Sequence, residues 1–244
     1  SIGSGGGIRQ ISQKTVDFGA SDGIMSAEQE AAAPGKLLHI PMAGGAVAVV
    51  YHLPGLATGL KLTPDVLADV YLKKITKWND PRLAAVNPGV SLPSVDIAVV
   101  HRSDGSGTTY IFTNYLSKAS QEWKDKVGNA TSVNWPGDIG GQGNEGVAGQ
   151  VRQLPGAIGY VELAYATQTG MTYASMRNRA GSYILPSLEA TTAAAQGVEL
   201  PDDMKVMITD SANPAAYPIS GFTWVLAYQD QPEAAKGKAL VNML

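Results

Sequence analysis

The chain has 244 residues, of which 44% are apolar and 16% charged, and its formal net charge at pH 7 is −3. Such a length can bury a full core, either as one large domain or as two smaller ones. The absence of cysteine excludes disulfides and thiolate catalysis, and the weakly acidic charge provides no broad surface for nucleic acid. His39, His52 and His101 lack metal-binding spacing, so we expect no metal site.

The first part of the chain predicts strands and helices in alternation. Residues 15–22, "TVDFGASD", predict a short strand that runs into a loop. A helix is predicted over residues 25–33, because Ser26 and Gln29 have the spacing of a capping box. Residues 39–55 form a β-rich stretch interrupted by glycine and proline.

A longer helix is predicted over residues 62–78, with Thr63 as its cap and Pro64 at its first position. Residues 143–156 predict another helix, capped by Asn144. The remaining predicted elements are strands at 95–100, 157–166 and 219–228 and helices at 107–120 and 231–244. This alternation favours an α/β fold with a largely parallel sheet and helices on both faces.

Residues 101–112, "HRSDGSGTTYIF", lie between a buried strand and a helix. In open α/β sheets, ligands bind at the carboxyl ends of strands, and free N–H groups at a helix start attract anions. Arg102 offers a planar cation for an oxyanion, and we expect Asp104 to pair with it. Taken alone, the segment fits both an anion site and an ordinary helix cap.

Two further stretches favour the interpretation of residues 101–112 as part of an anion-binding site. Residues 1–11, "SIGSGGGIRQI", place a Gly/Ser turn before a helical pattern, so that Ser4 and main-chain N–H groups can face a ligand. Asp22 ends "DFGASD" at a second junction between a strand and a loop. A carboxylate that faces an anion selects a ligand that carries a proton, although a lone loop aspartate is usually a cap or a solvated charge.

These segments, together with "GGQGNEGVAGQVRQLPGAIGYVE" and "LADVYLKKITKWNDPRL", closely resemble the phosphate-binding proteins of bacterial phosphate-specific ABC importers. The resemblance runs in order along the whole chain. It implies a two-lobed periplasmic-binding-protein fold, in which each lobe is a mostly parallel sheet flanked by helices and the ligand lies in the cleft. The phosphate-binding positions that it implies are Ser4, Asp22, Arg102, Asp104, Ser106, Gly107 and Thr108.

The resemblance also implies how the chain divides. A discontinuous first lobe comprises residues 1–43 and 216–244, and a continuous second lobe comprises residues 44–215. Family members begin with an additional strand and a "GAG(A/S)(T/S)FP"-like turn, and they end with helices beyond "VNML". Neither segment is found in this sequence, so we expect the first lobe to be incomplete at both ends.

The predicted activity is capture of inorganic phosphate, without catalysis and without a cofactor, and its delivery to the membrane permease and ATPase of an ABC importer. The resemblance implies a monomer located in the periplasm or anchored at the extracytoplasmic surface. One alternative is a phosphatase-like hydrolase that uses Ser106 or Ser4 as its nucleophile, but neither serine lies in a G-x-S-x-G motif, and strand alternation directs His101 away from Arg102. Another is a binder of a different oxyanion, such as arsenate or a phosphonate.

Overall fold

The structure is a computed structural model that describes residues 2–137 and 139–244. Its helices are α1 (Gly3–Ser12), α2 (Ala27–Ala32), α3 (Pro64–Tyr71), α4 (Pro81–Val86), α5 (Gly107–Ala119), α6 (Gln121–Lys126), α7 (Gly143–Gln153), α8 (Leu163–Gln168), α9 (Leu188–Ala195) and α10 (Ala234–Met243). Its strands are β1 (Gly19–Ser21), β2 (Leu37–Tyr51), β3 (Lys61–Leu62), β4 (Ala98–Arg102), β5 (Ile139–Gly141), β6 (Ala157–Glu162), β7 (Thr172–Tyr173), β8 (Ser175–Arg177), β9 (Tyr183–Ile184) and β10 (Ser220–Tyr228).

Local sequence patterns predicted some helix ends correctly and others incorrectly. The capping box before α2 is confirmed, because the Ser26 hydroxyl accepts from the Gln29 N–H and the Gln29 side chain accepts from the Ser26 N–H. The helix predicted over residues 62–78 ends much earlier, at Tyr71. Lys73 takes a left-handed φ of 61°, and the chain turns so that the buried Trp78 indole donates to Gly156 O at 2.9 Å. Burial of a large aromatic ring therefore overrides helical propensity here.

The main sheet has the strand order β1-β10-β2-β6-β4-β5, with β7 paired to β2, and a smaller sheet has the order β3-β8-β9. The α/β class is confirmed, but the expected predominance of parallel strands is wrong. In the described sheets, β4 with β5, β4 with β6 and β3 with β8 are parallel, whereas the other pairings are antiparallel. The reason is the direction of two central strands: β10 is antiparallel to β1 and β2, and β2 is antiparallel to β6 and β7 as well.

Strand β2 joins the two parts of the molecule. Its residues 37–46 pair with β10, and its residues 47–51 pair with β6. A single continuous strand therefore belongs to both the β10 part and the β6 part of the sheet, with no loop between its two pairing regions. This crossing lies close to the boundary predicted at residues 43 and 44, although the exact limits of the lobes remain a prediction.

Among the described residues, the two larger of three clusters of buried apolar side chains form the cores of the two lobes. The first lobe has a small core, made of Ile8, Ile11, Met25, Leu37, Trp224 and Leu226. The second lobe has a much larger core that includes Trp78, Phe112, Trp123 and Tyr160. Among the described helices, none is both long and apolar enough to cross a membrane.

Candidate functional site

The junction between β4 and α5 lies at the edge of the second lobe. Ser106 caps α5, since its hydroxyl accepts from the Thr109 N–H at 3.0 Å, and its own N–H donates to Thr131 O at 2.8 Å. The residue is completely buried. Within the described part of the chain, the N–H groups of Gly107 and Thr108 donate to no protein acceptor. Two main-chain donors at the positive end of a 13-residue helix are therefore available to an anion.

Arg102 ends β4, and its side chain is buried at the same edge. Its guanidinium donates to both oxygens of Asp104, from Nε at 2.7 Å and from Nη2 at 2.5 Å. The expected pairing of these two residues is therefore present, in the bidentate geometry that arginine favours. The contacts of the remaining nitrogen, Nη1, with described residues are long, to the Thr108 hydroxyl at 3.5 Å and to Asn144 Oδ1 at 3.4 Å. That nitrogen can donate to a bound anion.

Asp104 is held in its ionised form. Burial opposes ionisation, but the hydrogen bonds from Arg102 and from the Gly143 N–H outweigh it, so the pKa of Asp104 lies below its usual value. The Gly143 N–H donates to Asp104 Oδ1 at 3.0 Å and thereby ties the start of α7 to the same carboxylate. The charge of Arg102 is thus largely balanced within its own lobe, and hydrogen bonding becomes the main attraction for an anion.

Ser4 and Asp22 form the side of the site that belongs to the first lobe. Ser4 lies buried in the first turn of α1, and its hydroxyl accepts from the Asp22 N–H at 3.0 Å. Asp22 directly follows β1, and its Oδ1 accepts from the Thr223 hydroxyl at 2.6 Å. Burial raises the pKa of Asp22, and the Thr223 hydrogen bond and the Arg102 charge act against that rise.

The two sides meet at glycines. A Cβ atom added to Gly107 would lie 2.3 Å from Ser4 Oγ and 2.4 Å from Asp22 Oδ2, so this position has no room for a side chain. Close by, the Gly5 N–H donates to Gly105 O at 2.9 Å across the same gap. The first turns of α1 and α5 consequently face each other, with Asp22 Oδ2 directed at the start of α5.

Sequence reasoning missed several residues at this site. Asn144, predicted as a helix cap, lies instead inside α7, whose N-cap is Gln142, and its Oδ1 accepts from the Glu162 N–H at 3.2 Å. Burial raises the pKa of Glu162, and the negative charge of Asp22 adds to the effect. Thr223 was missed because it follows Asp22 by 201 residues, and no local pattern in the sequence connects them.

His101 takes no part in the site. Its ring nitrogens lie 3.0 Å from Arg102 O and 3.1 Å from Gly137 O, and the ring stacks on Trp135 at 4.9 Å between centroids. Both ring nitrogens therefore lie within hydrogen-bond distance of main-chain carbonyls, and His101 is not hydrogen-bonded to Ser106 as a base would be. Across the described residues, no group of three His, Asp or Glu side chains is arranged to hold a metal ion.

Comparison with known proteins gives a consistent set of relatives. A family model described as a PBP superfamily domain matches residues 1–242. The chain is 48% identical to the phosphate-binding protein PstS of Xylella fastidiosa (strain 9a5c), over 99% of this chain and 67% of that protein. It is 47% identical to the phosphate-binding protein PstS of Haemophilus influenzae, over 97% of this chain and 72% of that protein.

Solved structures show the same fold at lower identity. A periplasmic phosphate-binding protein solved with phosphate is 22% identical, with a TM-score of 0.75 over 99% of this chain and 76% of that one. A phosphate ABC transporter substrate-binding protein from Clostridium perfringens, solved with phosphate, is 20% identical, with a TM-score of 0.64 over 99% of this chain and 77% of that one. The chain spans about two thirds of the length of the first of these curated relatives.

Proposed function

We propose a function from one premise: the chain belongs to the PBP superfamily and, within it, to the PstS phosphate-binding proteins. The protein binds inorganic phosphate between its two lobes and serves an ABC importer for phosphate uptake. Its relatives are named as binding proteins and not as enzymes, and it acts outside the cytoplasm. We propose in addition that it works as a monomer and passes its ligand to a dedicated permease.

The observation that carries this proposal is the meeting of the two helix starts. Ser4 and Asp22 from one side face Gly107 from the other, beside a buried arginine. We propose that the phosphate lies here, with Ser4, Arg102, Ser106, Gly107 and Thr108 as donors. A ligand that touches both lobes stabilises the closed form through its higher affinity for that form.

Asp22 supplies the selectivity in this proposal. An ionised carboxylate only accepts hydrogen bonds, and phosphate at neutral pH still carries at least one proton that it can donate. Sulfate carries none, so its oxygens would face the Asp22 oxygens without a proton between them. A mispaired buried charge costs roughly 2–5 kcal/mol, which is enough to reject sulfate by tens to thousands of fold.

The test compares phosphate and sulfate binding by titration calorimetry in the wild type and in Asp22→Asn. We expect the substitution to narrow the preference for phosphate, because the amide can donate to a sulfate oxygen. Asp17→Asn is the matched control, since Asp17 is an exposed carboxylate of the first lobe that pairs with Lys236 at 3.4 Å. An unchanged preference in Asp22→Asn would remove Asp22 from the selective role.

The hydrolase alternative finds no support in the geometry. The Ser106 hydroxyl is buried and engaged as a helix cap, and the ring nitrogens of His101 face main-chain carbonyls. A chromogenic phosphate ester tests this directly, with no turnover expected at any pH. Arsenate resembles phosphate in both shape and protonation, and we expect it to compete for the same site.

A further inference from the structure

Thr223 and Asp22 lie opposite each other across two neighbouring strands. The antiparallel pairing of β1 with β10 places Ser21 opposite Trp224. The next position in this register puts Asp22 opposite Thr223, at the point where the ladder ends. Side chains at directly opposed positions of an antiparallel pair are close enough to interact, and here the Thr223 hydroxyl donates to Asp22 Oδ1 at 2.6 Å.

An irregularity in β10 accompanies this orientation of Thr223. Phe222 and Trp224 pack with the core of the first lobe, so alternation places the side chain of Thr223 on the other face. The pairing with β2 shifts at this point, since Thr223 lies opposite Ala43 and Trp224 lies opposite Pro41. Such bulges re-aim side chains and often occur next to binding sites.

The hydrogen bond decides which oxygen of Asp22 can face a ligand. Oδ1 is occupied by Thr223, and Oδ2 is the oxygen that approaches Gly107 at the start of α5. We propose that Thr223 is a positioning residue that sets ligand specificity: its hydroxyl keeps Asp22 an acceptor, with Oδ2 directed at the bound anion. This proposal rests on the proposed function, because it assumes that Asp22 selects a protonated oxyanion.

The charged groups around Asp22 explain why the hydroxyl matters. Arg102 faces it from β4 and favours its ionised form, whereas burial favours the protonated form. Glu162, at the end of β6, is the nearby carboxylate whose own pKa is raised by burial and by the charge of Asp22. Removal of the Thr223 hydroxyl leaves the charge of Arg102 to oppose the effect of burial on Asp22. A protonated Asp22 can donate a hydrogen bond to a sulfate oxygen, so the site would then bind sulfate.

The experiment measures the affinities for phosphate and for sulfate from pH 5 to pH 8.5 in the wild type, Thr223→Val, Thr223→Ser and Asp22→Asn. Valine keeps the branched shape and loses the donor, whereas serine keeps the donor. We expect sulfate binding to appear at higher pH in Thr223→Val than in the wild type. Near the acid end its sulfate affinity should exceed that of the wild type by roughly tenfold, the size of one lost hydrogen bond to a charged group. Thr223→Ser should follow the wild type.

A second measurement reads the carboxylate itself. The ¹³Cγ resonance of Asp22 in the ligand-free protein should titrate at higher pH in Thr223→Val and at the wild-type pH in Thr223→Ser. Thr223→Ala replaces valine in both measurements if the valine variant does not fold.

The outcomes separate this inference from the function on which it rests. A wild-type pH profile in Thr223→Val, or an equal displacement in Thr223→Ser, would overturn the role of Thr223 while leaving phosphate binding intact. Failure of the wild type to prefer phosphate, or full sulfate rejection by Asp22→Asn, would overturn the proposed role of Asp22 and this inference with it.

Discussion

On the second-lobe side of the site, Arg102 is fixed by Asp104 and contacts Thr108 and Asn144, all from its own lobe. On the first-lobe side, the hydrogen bonds of Asp22 to described residues are those with the Ser4 hydroxyl and with Thr223. The supporting cores differ in the same way, because six described residues form the core of the first lobe, and a far larger set with several aromatic rings forms that of the second. In the proposed site, the lobe with the larger core thus supplies Arg102 and the start of α5, and the lobe with the smaller core supplies Asp22, the group proposed to select the anion.

This difference predicts unequal local stability. Regions with few buried apolar contacts open before the rest of a structure does. We expect the first lobe to show faster amide exchange than the second in the absence of ligand. Phosphate binding should slow exchange in the first lobe more strongly, because the ligand adds contacts where few exist.

The largest expected effect comes from the core of the first lobe. Trp224 is fully buried there, and Trp224→Ala should cost about 3–5 kcal/mol of unfolding free energy through the lost transfer energy and the cavity. Hydrogen exchange should show protection lost in residues 8–11 and 37–40 while residues 158–161 remain protected. Simultaneous loss of protection in both regions would show that the lobes unfold as one unit and would contradict a difference in their stability.

The cation of the second lobe gives the next effect. Arg102→Met leaves Asp104 partly buried without its cation, while the Gly143 N–H still donates to it at 3.0 Å. We expect the free energy of phosphate binding to weaken by about 2–5 kcal/mol, measured by calorimetry. Arg152→Met is the control, because Arg152 is exposed on α7, and it should bind normally. Comparable losses in both variants would mean that the cation acts only through overall charge.

The pH response should also distinguish the lobes. Burial lowers the pKa of His39 to about 4, and the charge of Lys205 contributes to the lowering. His39 Nε2 accepts from the Met25 N–H at 3.2 Å, so the folded first lobe contains this ring in its neutral form. The unfolded chain binds a proton near pH 6.5, well before the folded chain does, and stability is therefore lost as the pH falls from about 6.5 to about 4.

The full loss should be on the order of 3 kcal/mol at the acid end of that range. Urea unfolding at several pH values measures it. His39→Gln keeps an acceptor for the Met25 N–H and has no charge to gain, so its stability should vary less over the same range. Equal pH dependence in the two proteins would place the titrating group elsewhere.

The smallest expected effect lies where the two sides meet. Gly107→Ala inserts a methyl group against Ser4 and Asp22, and overpacking of this kind costs roughly 1–3 kcal/mol. The cost should appear as weaker phosphate binding, because it falls on the contact between the sides. Gly149→Ala is the matched control, since nothing lies within 4 Å of its added Cβ, and in α7 it should leave binding unchanged.

Short-range sequence patterns were enough to predict the local structure of several segments. The cap at Ser26, the α/β class and the strand–loop–helix segment at residues 101–112 follow from short-range patterns. The pairing of Arg102 with Asp104 is equally local, because the residues are two positions apart. The resemblance to phosphate-binding proteins adds the expectation that Ser4 and Asp22 face this segment.

The way in which those segments pack together depends on long-range contacts that short-range patterns do not encode. The opposed directions of β2 and β10, the early end of α3 and the entry of Asn144 into the site arise from contacts between distant segments. The hydrogen bond from Thr223 to Asp22 joins residues 201 positions apart. Periodicity and capping report only on neighbours within about a turn of helix or a strand. They therefore could not identify Thr223 as the hydrogen-bond partner of Asp22.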